Sequence, residues 1–148
     1  MTILHLLCAV LLVSVTLMIL NIKGYIKHNP FAWEPGRQGT GYEKLELFNR
    51  WKYFGKRKWD LYLLRYRVGA GIPEHRDPLP GHEHYRLNIY LWNADRGGVP
   101  DHAFTIIHNR FFTLFRPDQA PHSVSTVTKG TRYVLSFGYS KLLKEDFQ

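Results

Sequence analysis

The stretch DLYLLRYRVGAGIPEHRDPLPGHEHYRLNIYLW, residues 60–92, decides the fold. Its first part, 60–68, is aromatic and rich in branched apolar residues, and it stops at Gly69-Ala70-Gly71. That composition suits a strand with a hard end. Its last part, 86–92, alternates: Leu87, Ile89 and Leu91 fall on one side, and Arg86, Asn88, Tyr90 and Trp92 on the other. A period of two is the signature of a strand. Between them lies a segment punctuated by proline and glycine that carries His75, Asp77, His82 and His84. It reads as a loop, from which His82 and His84 could reach a substrate.

Working outward, the pattern repeats. Gly97-Gly98 marks a turn, and residues 103–108 and 111–115 form a predicted hairpin around Asn109-Arg110. Pro117-Asp118 starts another turn. Residues 122–127 and 131–139 read as two more strands, and the turn Thr128-Lys129-Gly130 predicts that they pair as neighbours. Short strands at close spacing with little helix among them predict a mainly β sandwich or barrel. Upstream, Leu45, Phe48 and Trp51, with Leu47 and Phe54 fitting less well, keep a near-helical spacing that predicts a short helix over 42–54.

The whole chain has 148 residues, enough for one domain. It is 45% hydrophobic and 22% charged, which argues against general disorder. Its one cysteine, Cys8, excludes an intramolecular disulfide and a cysteine-based zinc site. The net charge is +8, and residues 23–67 hold 11 Lys and Arg against 4 Asp and Glu. A basic excess there suits anionic lipid headgroups or simply a solvated surface. Nucleic acid is not the expected partner.

Residues 3–22, ILHLLCAVLLVSVTLMILNI, carry no formal charge. Twenty residues at about 1.5 Å each span the roughly 30 Å hydrocarbon core of a bilayer. Only Met1 and Thr2 precede the run and no small-x-small cleavage site follows it, so an uncleaved single-pass anchor is expected rather than a signal peptide. Lys23 and Lys27 flank its C-terminal side, which places the rest of the chain in the cytoplasm. The expected organisation is an anchor at 1–22, a linker at 23–41 and one domain at 42–148.

Most of the eight histidines read as surface or core-rim residues, but His75 has a context. In an extended segment residues i and i+2 project to the same side, so His75 and Asp77 can offer a nitrogen and an oxygen to one ion. His122 opens a later strand and supplies a third ligand. Two histidines and a carboxylate make the facial arrangement common to non-haem Fe(II) oxygenases. Arg132, ten residues after His122, can grip a carboxylate bidentately.

The order G-x-G-I-P-x-H-R-D, R-L-N-I-Y-L, G-G, L-F-R-P-D-x-x-P-H-S-V and G-x-R-Y-V-L-S-F-G resembles the 2-oxoglutarate- and Fe(II)-dependent oxygenase superfamily, in its prolyl 4-hydroxylase-like branch. The resemblance covers about residues 60 to 140. It implies a double-stranded β-helix, or jelly roll, with the metal at its open mouth. It implies His75, Asp77 and His122 as iron ligands and Arg132 as the residue that binds the distal carboxylate of 2-oxoglutarate. Tyr90, Tyr66 and Asn88 match positions that face this cosubstrate, and Arg86 matches one at the substrate entrance. Fe(II), 2-oxoglutarate and O₂ are the implied cofactors, with ascorbate as an auxiliary reductant. The implied reaction is hydroxylation, of a lipid, a membrane-proximal protein or another substrate that the sequence does not name. The region before the barrel, 42–59, is shorter than the family's usual lead-in. The rival readings are a jelly roll that binds a metal or ligand without turnover, and a membrane interaction module that uses the basic stretch 50–58.

Overall fold

The computed structural model describes residues 33–49 and 57–143. The apolar run 3–22 lies outside these residues. Among the described residues no helix is long and apolar enough to cross a membrane. Every strand described below lies in the unit that begins at Glu34.

Ten strands follow in order: β1 (Glu34–Pro35), β2 (Glu43–Asn49), β3 (Arg57–Tyr66), β4 (Ile72–His75), β5 (His82–Trp92), β6 (Pro100–His102), β7 (Thr105–His108), β8 (Phe112–Phe115), β9 (His122–Val124) and β10 (Arg132–Leu142). They form a seven-stranded sheet, β1-β2-β3-β10-β5-β8-β7, and a three-stranded sheet, β4-β9-β6. The paired strands run antiparallel throughout. From β3 to β6 the chain changes sheet at every step, and after the β7–β8 hairpin it does so again through β9 to β10. That interleaving makes the architecture a jelly-roll-like β sandwich.

Three local expectations are corrected. Residues 43–49 form a strand, not a helix, because Leu45 pairs across from Leu63 and packs on the sheet, and pairing along β3 outweighs a weak 3.6-residue period. The segments after His122 and Arg132 are not a paired hairpin. β9 lies between β4 and β6, and β10 between β3 and β5, so the 128–130 turn carries the chain from one sheet to the other. His82 and His84 are not in a loop but open β5, paired with Leu142 and Ser140 of β10. The expected hairpin at 103–115 is present as β7 and β8, with Asn109 N–H donating to Phe112 O at 3.0 Å.

The interior changes character along β3, β10 and β5 and along β4 and β9. At one end Leu64 pairs with Val134, Val134 with Tyr90, and Ile72 with Val124. These residues surround a buried cluster of Tyr42, Tyr66, Ala70, Val127 and Val134, with Tyr42 and Tyr66 stacked at 5.5 Å. Two residues further along, Ser136 pairs with Tyr62 and Asn88, and on the small sheet His75 pairs with His122. An irregularity in β4 between Ile72 and His75 lets residues three apart line the same cavity. One end is thus an apolar core and the next layer a polar cavity.

Candidate metal centre

The cavity has a volume of about 500 Å³ and lies between the sheets. His75, Asp77 and His122 stand on its wall, each partly buried, with their ligand atoms all within 4.8 Å of one another. His75 ends β4 and His122 begins β9, and the two are register partners with rings 4.2 Å apart. Asp77 lies 3.7 Å from His75 Nε2 and 3.8 Å from His122 Nε2, one carboxylate oxygen toward each. Its backbone N–H donates to Pro117 O at 2.9 Å, which ties it to the turn that leads into β9. That turn is braced by Arg116, whose guanidinium holds Asp118 through Nε at 3.0 Å and Nη2 at 2.7 Å.

The protonation pattern suits a cation. His75 Nδ1 lies 2.8 Å from Pro73 O, and a carbonyl only accepts, so Nδ1 carries the proton and Nε2 keeps its lone pair. Burial, then the nearby His75, pushes the His122 imidazole down to about 4, so it is neutral at ordinary pH. Two imidazoles and a carboxylate, on two backbone segments fixed by pairing and hydrogen bonds, are a donor set that fits a divalent transition metal.

The other expected residues divide between two places. Arg132 is 2% exposed. Its Nη1 donates to Gly98 O, its Nε–H meets no acceptor among the described residues, and its carbon centre lies 4.9 Å from the Tyr90 ring and 5.8 Å from the Tyr66 ring. No carboxylate among the described residues pairs with it, and burial pulls its pKa down. A buried cation without an anion is costly, so the guanidinium fits a carboxylate ligand. Tyr66 is on the cavity wall; Arg132 and Tyr90 are not. The Tyr90 hydroxyl pairs with that of Thr113, which also bonds His108 Nδ1 at 2.7 Å.

Asn88 and Arg86 sit elsewhere, on the cavity wall formed by the large sheet. Arg86 Nη1 donates to Ser136 Oγ at 3.0 Å, and Ser136 Oγ donates to Asn88 Oδ1 at 2.7 Å. Arg86 Nη2 holds buried Asp60 at 3.1 Å. Gly138 makes this pair feasible, because a Cβ there would come within 2.5 Å of Asp60 and 2.7 Å of Arg86.

Several wall residues escaped sequence reasoning. Asp60 was read only as the start of a strand, and His102 only as a rim residue. Burial holds the pKa of His102 and of His84 below the usual histidine range. Arg37 and Gln38 fall in the segment read as linker, yet both line the cavity. The alternation of 86–92 marked Arg86 and Asn88 as one face. Nothing in it said that this polar face is the inner one.

No protein-family profile and no curated protein matches the chain. Among solved structures it is similar to the viral collagen prolyl hydroxylase vCPH from Paramecium bursaria Chlorella virus-1, determined as its 2OG complex. The match has 17% identity and a TM-score of 0.47, and it covers 59% of this chain and 61% of that one.

Proposed function

We propose that the chain is an Fe(II)- and 2-oxoglutarate-dependent oxygenase, acting as a hydroxylase. The observation that carries this reading is the convergence of His75, Asp77 and His122, from two backbone segments far apart in sequence, on one interior cavity. These three side chains would hold the iron. When bound, iron with 2-oxoglutarate and O₂ supplies oxidation of a C–H bond coupled to decarboxylation of the cosubstrate.

The chain's own part is placement. His75 is oriented by Pro73 O, and Asp77 by the Pro117 carbonyl. Arg132 would neutralise the distal carboxylate of the cosubstrate, with Tyr66 and Tyr90 beside it. The apolar layer around Tyr66 and Val134 closes one end of the cavity to water. Asn88 and Arg86 belong to the remaining wall, where a substrate would lie. The apolar run 3–22 would tether the domain to a membrane, near which a lipid or protein substrate is to be sought.

The test is anaerobic addition of Fe(II) and then 2-oxoglutarate to the full chain. A weak visible charge-transfer band that disappears in His122→Ala is the expected result. Folded protein that shows neither the band nor succinate formation would overturn the proposal.

A second reading rests on Arg132. Its Nη1 is committed to Gly98 O and it lies off the cavity wall, which favours a jelly-roll module that binds a metal without turnover. In that case Fe(II) binds and 2-oxoglutarate produces no band.

A further inference from the structure

The turn before β2 reaches into the metal centre. Gly36 N–H donates to Tyr42 O at 2.8 Å and Gly39 N–H to Gly36 O at 3.2 Å, which closes residues 36–42 into a compact loop. Thr40 fastens the loop to the β3–β4 connection, with its hydroxyl on Gly71 O at 2.5 Å and its carbonyl accepting from Gly71 N–H at 3.3 Å. Held this way, the loop delivers two side chains to the triad. Gln38 Nε2 lies 2.9 Å from His75 Nε2, and Arg37 Nη2 lies 3.2 Å from Asp77 Oδ1.

The chemistry of these contacts is specific. His75 Nδ1 is the donor to Pro73 O, so His75 Nε2 is an acceptor and the Gln38 amide N–H donates to it. The amide is oriented for this by Tyr42, whose hydroxyl donates to Gln38 Oε1 at 2.6 Å and accepts from Arg37 N–H at 3.2 Å. An imidazole nitrogen has one lone pair and cannot serve an amide and a metal together. The Arg37 guanidinium adds a positive charge beside the one carboxylate of the triad, where it opposes a cation.

Resting on the metal-centre reading of the same three residues, we propose that Gln38 and Arg37 are positioning residues of that centre. They hold His75 and Asp77 in place and are displaced when a metal takes the two ligand atoms. The 36–42 loop is then a cap that competes with the ion, and Gln38 is its principal contact. Gln38 matters more than Arg37 because Tyr42 fixes its amide, whereas the Arg37 side chain is 69% exposed and swings into water at little cost.

Titration of the full chain with Co(II), followed by the visible absorption of the bound ion, tests this directly. Gln38→Ala is expected to bind Co(II) about three- to tenfold tighter than the parent, the equivalent of one hydrogen bond removed from competition. Arg37→Ala should bind about twofold tighter. Tyr42→Phe keeps the ring stacked on Tyr66 and loses the hydroxyl, and it should move affinity the same way. A loop that only supports the fold predicts equal or weaker binding in all three, and that result in folded protein overturns the proposal. Gln38→Leu, similar in size and without the donor, stands in if the alanine variant does not fold. Co(II) binding to neither the parent nor any variant would instead remove the metal-centre reading itself, and this inference with it.

Discussion

The two walls of the cavity are both polar, but they manage their polarity in different ways. On the large sheet, Asp60, Arg86, Ser136 and Asn88 are joined by an ion pair and two hydrogen bonds, with Arg86 Nε–H meeting no acceptor among the described residues. On the small sheet, His75, Asp77 and His122 approach one another at 3.7 and 3.8 Å, beyond hydrogen-bond length, and Gln38 and Arg37 are their nearer polar contacts on the cavity side. The first wall is a connected network whose partners lie within the sheet. The second presents donor atoms to a shared point. A polar group inside a protein is held either for stability or for a ligand, and here the two uses face each other.

This contrast makes opposite demands on variants. The largest effect is expected from Arg86→Ala, which removes the guanidinium from Asp60, whose side chain is 4% exposed. Urea unfolding of the full chain should show a loss of about 3–5 kcal/mol. Most of this should return when Asp60→Leu is added, since removing both members of a buried pair costs less than removing one. A loss below 1 kcal/mol would mean that the Asp60–Arg86 pair does not hold the large-sheet wall together.

Next in size, His75→Ala or Asp77→Ala should weaken Co(II) binding by more than about 100-fold, close to 2.7 kcal/mol, while unfolding stability changes little. If the same variants unfold the protein and Arg86→Ala weakens the metal, the division between the walls is wrong. Gly138→Ala comes third. It presses a methyl group into the Asp60–Arg86 pair and should lower stability by about 1–3 kcal/mol, with metal affinity unchanged.

The smallest effect is a pH dependence. Burial lowers the pKa of His84, His102 and His122, the last to about 4. In the unfolded chain these histidines take up protons below about pH 6.5, while in the folded chain they do so only at lower pH. The unfolded state therefore binds more protons, and stability should fall steadily as pH drops from roughly 6.5 toward 4. Melting curves recorded in chelator across that range check it. Stability that stays flat across this range would place these imidazoles in water.

Much of the site was legible in the chain because its spacing is local. The two-residue period of extended backbone put His75 and Asp77 on one side, and His122 begins a strand that follows the Pro117-Asp118 turn. What was misread involves partners far away in sequence. The spacing of Leu45, Phe48 and Trp51 suggested a helix, but β3 lay ready to pair, and a strand resulted. The 128–130 turn looked like a hairpin, yet the strands on either side bond to four different neighbours in two sheets. His84 looked like a loop residue because proline and glycine precede it, and pairing with Ser140 drew it into β5.

The sequence by itself determined that the chain is mainly β, where most strands stop, and which three side chains could share an ion. These properties follow from residue periodicity and from glycine and proline punctuation, which act over a few residues. Tertiary structure decided which face of β5 is the inside, that Asp60 meets Arg86, and that Gln38 and Arg37 reach the triad from a segment that reads as linker. Those outcomes depend on register between strands and on the packing of one sheet over the other. Both are set by contacts between residues tens of positions apart, whose closeness no local pattern records.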